Sequence, residues 1–178
     1  MVEAELQVDD EVLMMVRGWR PRIAPVHLPA EVVAIRPGPA LPSEPGPANF
    51  FPTARDVGYQ TAMEIRFVSG AFTELGPASA WLRMRLPLVE GEEPSQLQRL
   101  LIAADVGNGI SSAVDFRRFV FVNVDLTVQI ERLPEGEWVC VDAVTLPRPT
   151  GNATAESVLG DERGRVGRAL QSLLVAER

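Results

Sequence analysis

Length, composition and charge already narrow what this chain can be. Its 178 residues, 46% of them hydrophobic, suffice for one domain with a packed core, and no apolar run is long enough to cross a membrane or is shaped like a signal peptide. The net charge of −7 argues against nucleic acid as a partner, and the single cysteine, Cys140, excludes an internal disulfide and a cysteine-based metal site. We therefore expect a soluble cytoplasmic protein without a metal or other cofactor, in which Cys140 is a small buried apolar residue.

Residues 1–22 predict a short hairpin. The stretch "EAELQVDDEVLMMVRGWRPR" has two apolar runs around an acidic turn. The end of the chain, "NATAESVLGDERGRVGRALQSLLVAER", has the same arrangement, which indicates a weak internal repeat. The alternative is an unrelated surface hairpin.

Residues 23–56 predict a linker. Nine of the fifteen prolines lie between positions 21 and 52, and proline fixes φ and lacks the N–H that regular structure needs. The only histidine, His27, lies in this stretch. Because a mobile linker positions an imidazole poorly, we expect His27 to be incidental and no histidine-based catalysis.

The larger part of the chain, 57–178, predicts strands around one helix. The stretches "YQTAMEIRFVSGAF" and "ASAWLRMRLPLV" have the alternation and residue types of strands, with a glycine-containing break between them. Ser95 and Gln98 then predict a capping box at the start of a helix. Its predicted buried face is formed by apolar residues at helical spacing: Leu97, Leu100, Leu101 and Ala104.

Asp105 continues that apolar stripe and is expected to point inward. Gly107, Asn108 and Gly109 predict the end of the helix, because these residue types accept the left-handed conformation. A buried carboxylate is costly unless donors or counter-charges meet it. Asp105 is therefore either bonded to the backbone of the Gly-Asn-Gly turn or part of a functional site.

A long alternating stretch, "RFVFVNVDLTVQIERL", follows the helix. One predicted face carries Val120, Val122, Val124, Leu126, Val128 and Ile130, and the other carries Phe119, Phe121, Asn123, Asp125, Thr127 and Gln129. "LPEG" predicts a hairpin turn that pairs this strand with "EWVCVDAVTL". The last two segments are expected to meet at a Gly160–Asp161 turn, and the final one fits either a strand or a helix.

Two strands, then one helix, then four more strands is the element order of a hotdog fold. At "AADVGNG", "FVNVDLTVQIER", "GEWVCVDAVT" and "LGDERGRVGRALQSLLV" the sequence resembles the C-terminal half of the acyl-CoA thioesterase II-like proteins, over residues 71–175. The resemblance implies an α+β hotdog fold, with a curved antiparallel sheet wrapped around one central helix. Since those proteins carry two hotdog repeats, it also implies that 1–22 is the terminal hairpin of a first repeat and 57–178 a hotdog domain.

The same resemblance implies a site. Carried over by position, the family's aspartate, strand residue and glutamine fall on Asp105, Asn123 and Gln171, which would orient and activate a water against a thioester carbonyl. The position matched by Asn123 is often threonine or serine in the family. If the valine face packs on the helix, Asn123 reaches the site only through a bulge or from a neighbouring subunit. Asp125 is expected to be a solvated residue.

Acyl-CoA is the partner that the resemblance implies. Phe119 and Phe121 are candidates to line the acyl chain, and Arg117 and Arg118 to meet the phosphates of coenzyme A. The alternative function is a non-catalytic hotdog module for acyl binding or assembly, while a hotdog hydratase is disfavoured because the body contains no histidine. A lone hotdog exposes a sheet edge, so self-association to a dimer or higher oligomer is also expected.

Overall fold

The computed structural model describes residues 1–21, 26–29, 38–42 and 57–178. Much of the predicted linker, including 43–56, lies outside the described residues. The chain divides into two units, Met1–Ala34 and Ile35–Arg178. The described elements are β1 (Val2–Val8), β2 (Glu11–Gly18), α1 (Tyr59–Ala62), β3 (Met63–Ser69), β4 (Ala78–Met84), α2 (Gln96–Ala104), α3 (Gly107–Ile110), β5 (Phe119–Asn123), β6 (Thr127–Ile130), β7 (Trp138–Pro147), β8 (Asn152–Asp161) and β9 (Gly164–Glu177).

The larger unit is an antiparallel sheet of seven strands with α2 and α3 packed on it. Strands follow the order β3-β4-β7-β8-β9-β5, and β6 also pairs with β9. The main core cluster lies between the helices and the sheet and includes Leu100, Ala103, Ile110, Val141 and Leu159. A long antiparallel sheet around one principal helix is the α+β hotdog architecture expected above.

Helix α2 begins as predicted, but it buries a different face. Ser95 accepts a hydrogen bond from the Gln98 backbone, and the Gln98 side chain accepts one from Ser95, which completes the capping box. The buried residues are Arg99, Leu100, Ala103 and Ala104, whereas Leu97 and Leu101 are exposed. Leu100 and Ala104 are therefore buried as predicted, whereas Arg99 and Ala103 are buried in place of Leu97 and Leu101.

Two expectations about the strands are corrected here. Tyr59–Ala62 is a short helix and not the start of a strand. The stretch "LPEG" does not join a hairpin, since β6 pairs with β9 while β7 pairs with β4 and β8. β7 is buried over its first four residues, so it occupies the middle of the sheet, where a local hairpin with β6 would not place it. The chain therefore crosses over between β6 and β7.

The last two segments form a long hairpin. The final segment fitted either a strand or a helix, and it forms a strand of 14 residues, β9. β8 continues through Gly160 and Asp161, and the turn lies two residues later, because Asp161 pairs with Gly164. The Asp161 side chain accepts hydrogen bonds from both terminal nitrogens of Arg132 and from the backbone N–H of Glu135 and Arg163.

A bulge divides the long alternating stretch into β5 and β6. Asn123 pairs with Leu173 and Thr127 pairs with Leu170, so four steps along one strand oppose three along the other. An extra residue reverses which alternate positions face the core. The expected single valine face is therefore wrong: Val122 and Val124 are exposed, whereas Val128 packs against the core.

The smaller unit contains the hairpin of β1 and β2. The strands are antiparallel, with a register shift between Leu6 and Gln7. Asp9 and Asp10 form the turn with positive φ angles of 49° and 68°, so the acidic turn of the predicted hairpin is present. No helix among the described residues is long and apolar enough to span a membrane.

Candidate functional site

The structure brings together the three residues that the resemblance singled out. Asp105 is the C-cap residue of α2, Asn123 ends β5 and Gln171 lies within β9. The side-chain amide of Asn123 donates to Oδ1 of Asp105 at 3.0 Å. Nε2 of Gln171 donates to the backbone carbonyl of Asp105 at 2.9 Å and lies 3.3 Å from its Oδ1. Two amides therefore hold one oxygen of the carboxylate.

Asp105 is exposed, so the expected inward position is wrong. It lies four residues after Leu101 and eight after Leu97, which are 39% and 44% exposed, so all three share the outer side of α2. The carboxylate nevertheless accepts hydrogen bonds from the side-chain amides of Asn123 and Gln171. Among the described residues only Oδ1 is hydrogen-bonded, which leaves Oδ2 open to a water molecule.

Gln171 is the buried part of the site, with 1% of its surface exposed. Its Oε1 accepts a hydrogen bond from the backbone N–H of Asn108 at 3.0 Å, while its Nε2 holds Asp105. One side chain thus joins the end of α2 to the start of α3. Because both ends of the amide are used, its orientation is fixed.

Gly107 permits this arrangement by its size. Neither Gly107 nor Gly109 has a positive φ, so the expectation that they end the helix in the left-handed conformation is wrong. Residues 107–110 instead form α3. A Cβ at Gly107 would lie 2.5 Å from Oγ of Ser157 and 3.1 Å from Oε1 of Gln171. A larger residue at this position would therefore displace the side chain of Ser157 or Gln171.

The bulge explains how Asn123 reaches Asp105 within one chain. Val122 lies on the outer side of β5, and the next residue, Asn123, points to the opposite side and reaches Asp105. Within the bulge, the Asp125 carboxylate accepts hydrogen bonds from the backbone N–H and hydroxyl of Ser172. Asp125 is exposed, as expected, but it is also tied to β9.

The four substrate-binding candidates lie at the start of β5 and just before it. Phe119 and Phe121 are half-buried and share a strand face with Asn123, because alternate residues face the same side. Arg117 and Arg118 are exposed, and their guanidinium groups lie 5.8 Å from the ring centroid of Phe116 and 5.6 Å from that of Phe119. The two phenylalanines therefore lie on the strand that ends at Asn123, and the two arginines directly precede that strand.

Tyr59 is the neighbour of the site that sequence reasoning missed. Its hydroxyl donates to the backbone carbonyl of Ile102 at 3.1 Å. Burial, and secondly the negative charge of Asp105, raise the pKa of Tyr59 far above its usual value, so the phenol stays protonated. The two partners are 43 residues apart in the sequence, so no local pattern predicts the contact.

The chain's single cysteine and single histidine take no part in the hydrogen bonds that hold Asp105. Cys140 is buried beside Trp81 and Trp138. Burial raises the pKa of its thiol to about 11, which makes it a poor nucleophile. His27 is exposed. No group of three His, Cys, Asp or Glu side chains suited to a metal ion is found among the described residues.

The chemistry available is that of an oriented carboxylate. A carboxylate can accept the proton of a water molecule as the water attacks a carbonyl carbon. Amide N–H groups beside it can position that water and stabilise the negative charge that develops. The arrangement fits hydrolysis of an activated acyl group, and it uses no histidine.

Comparison with protein families identifies the group to which the chain belongs. The family model described as "Acyl-CoA thioesterase C-terminal domain" matches residues 36–175. The chain belongs to this family. The matched range contains all three residues of the site, which agrees with the resemblance seen in the sequence. A comparison with curated proteins finds no match.

Solved structures of other proteins share the family's hotdog fold. An acyl-CoA thioesterase II from Mycobacterium marinum is 16% identical, with a TM-score of 0.56 over 89% of this chain and 60% of that one. A conserved protein of unknown function with a hotdog fold from Alicyclobacillus acidocaldarius is 15% identical, with a TM-score of 0.58 over 98% of this chain and 66% of that one. The chain thus spans about two thirds or less of the length of either protein.

Proposed function

We propose that this chain is an acyl-CoA thioesterase that hydrolyses a fatty acyl-CoA to the free acid and coenzyme A. The observation that carries the proposal is the carboxylate of Asp105, of which one oxygen is held by the amides of Asn123 and Gln171 while the other is open. Membership of the acyl-CoA thioesterase family supports the substrate class.

Asp105 acts as the general base in the proposed reaction. Its open oxygen takes a proton from water as the water oxygen bonds to the thioester carbonyl carbon. The tetrahedral intermediate then collapses, the carbon–sulfur bond breaks, and protonated Asp105 returns its proton to the departing thiolate, which leaves a free acid, free coenzyme A and the carboxylate of Asp105. Asn123 and Gln171 keep the carboxylate in place throughout, so no group has to reorient during the reaction.

The acyl group and coenzyme A are proposed to lie along β5. Phe119 and Phe121 lie on the same strand face as Asn123. At about 3.3 Å per residue, the backbone of Phe119 lies ~13 Å from that of Asn123 along the strand. Apolar side chains at this distance suit an acyl chain bound beside the site. Arg117 and Arg118, which are exposed, supply positive charge for phosphate groups in a chain with a net charge of −7.

The test is release of free coenzyme A from acyl-CoAs of short, medium and long chain. Asp105→Asn keeps the size and hydrogen bonding of the side chain and removes the base, so we expect a loss of about 100-fold or more. Asp125→Asn is the matched control, because this nearby carboxylate holds Ser172 instead. Equal activity of wild type and Asp105→Asn would refute the role of Asp105. If neither protein hydrolyses any acyl-CoA, the alternative of a non-catalytic acyl-binding or assembly module is favoured.

We also propose that the chain self-associates as a dimer or higher oligomer. β5 is an edge strand of the larger unit's sheet, and the neighbouring apolar side chains of Leu97, Leu101 and Val122 are exposed. An open edge beside apolar surface favours association. Light scattering at micromolar concentration tests this, and a monomer there would refute it.

A further inference from the structure

Tyr59 is the only tyrosine of the chain, and it has a specific bond as well as a packing role. Its ring packs against the main core cluster. The hydroxyl donates to the backbone carbonyl of Ile102, in the last turn of α2 and three residues before Asp105. The bond therefore joins α1 to the turn that carries the carboxylate.

The Ile102 carbonyl needs this donor because of how α2 ends. A carbonyl in a continuing helix accepts from the backbone N–H four residues later. Here the N–H of Val106 bonds to Ala103 instead, at 3.2 Å, as the helix tightens before α3. Helix ends leave such carbonyls without a backbone partner, and the phenol of Tyr59 takes the place of the missing N–H.

The hydroxyl of Tyr59 lies close enough to Asp105 for the two groups to interact electrostatically. The charge of Asp105 adds to burial in raising the pKa of Tyr59, so the hydroxyl remains a hydrogen-bond donor over the whole working range of pH. A phenol that is engaged with a main-chain carbonyl is not free to act on a substrate. Its influence on the site must pass through the backbone of α2.

We propose that Tyr59 is a positioning residue for Asp105: its hydroxyl fixes the last turn of α2 so that the carboxylate meets the amides of Asn123 and Gln171. The structural part of this inference stands on the contacts themselves, and its effect on rate rests on the proposed thioesterase function. The bond takes the place of a backbone hydrogen bond at the turn from which Asp105 projects.

Tyr59→Phe tests the kinetic effect, because it keeps the ring and removes only the hydroxyl. Small misplacement of a catalytic group lowers turnover more than substrate binding, so kcat should fall by about 10-fold while KM stays within about twofold. In an Asn123→Ala background the carboxylate already lacks one of its two amide donors, and the further loss should shrink to less than about threefold. Ser112→Ala is the matched control, because its hydroxyl also bonds a backbone carbonyl, that of Val114, at 2.8 Å. We expect unchanged activity there.

A second measurement does not depend on activity. The side-chain amide of Asn123, which donates to Asp105, gives its own signals in a nitrogen–proton NMR spectrum. These signals should shift in Tyr59→Phe and stay in place in Ser112→Ala. Unshifted signals in Tyr59→Phe would overturn the inference, whether or not the protein is active. Shifted signals in a protein that hydrolyses no acyl-CoA would support the inference and refute the proposed function alone.

Discussion

Gly107→Ala should destabilise the protein through a steric contact at the site. Gly107 has no positive φ and lies in a short helix. In an open position of this kind, replacing glycine by alanine stabilises by about 0.4–1 kcal/mol, because it restricts the unfolded chain. A loss of stability would therefore be the opposite of this general effect and would come from contacts with Ser157 and Gln171.

The expected magnitude follows from two distances. A Cβ at position 107 would lie 2.5 Å from Oγ of Ser157 and 3.1 Å from Oε1 of Gln171, whereas Cβ of Ser157 is at 3.8 Å. The first contact is about 1 Å closer than ordinary packing allows. Overpacking of this kind costs about 1–3 kcal/mol, which in a chain of this size lowers Tm by roughly 2–12 °C.

The double variant Gly107→Ala/Ser157→Ala isolates the cause. Removing Oγ of Ser157 leaves its Cβ as the nearest atom of that residue, at an ordinary contact distance. Thermal unfolding of the two single variants and the double variant should show that Ser157→Ala restores most of the Tm lost in Gly107→Ala. A Gly107→Ala protein as stable as wild type, or a double variant no better than Gly107→Ala alone, would refute the reasoning.

Two further predictions concern groups outside the site. Burial acts to raise the pKa of Asp161, but hydrogen bonds from Arg132 and from two backbone N–H groups outweigh it and lower that pKa below its usual value. A carboxyl with a lowered pKa contributes stability that is present above its unfolded-state pKa and is lost as the pH falls through the folded-state value. Thermal melts from pH 7 downward should therefore show a smaller acid-induced loss below about pH 4 in Asp161→Asn than in wild type, and equal slopes would contradict this. Cys140, whose buried thiol has its pKa raised to about 11, should react with iodoacetamide at pH 8 far more slowly in the folded protein than in urea, and equal rates would show that the thiol is accessible.

Local patterns in the sequence predict the elements that local chemistry decides. The capping box of Ser95 and Gln98 lies at the predicted position, because both partners are three residues apart on one turn. The hairpin at each end of the chain is likewise a short-range feature. The crossover from β6 to β7 is a property of the whole sheet, so the "LPEG" stretch between them gave the wrong pairing.

The site was predictable by resemblance and much less by pattern. Asp105, Asn123 and Gln171 come from three distant segments, and only their match to a family brings them together before the fold is known. The single valine face predicted from Val120 to Ile130 is wrong, because one extra residue between β5 and β6 reverses the alternation. The exposure of Asp105 was mispredicted because helical spacing shows which residues share one side of α2. It does not show which side of the helix meets the sheet.

The bulge between β5 and β6 links the fold to the proposed chemistry. It turns Asn123 toward Asp105 and allows Asp125, two residues later, to bond the neighbouring strand at Ser172. Ser172 follows Gln171 directly, so successive residues of β9 hold Asp105 on one side of the sheet and Asp125 on the other. A carboxylate fixed in this way needs little reorganisation, but in contact with bulk water its electrostatic effect is weak. For the proposed reaction, exclusion of bulk water from the exposed side of α2 is therefore the condition under which Asp105 is effective as a base.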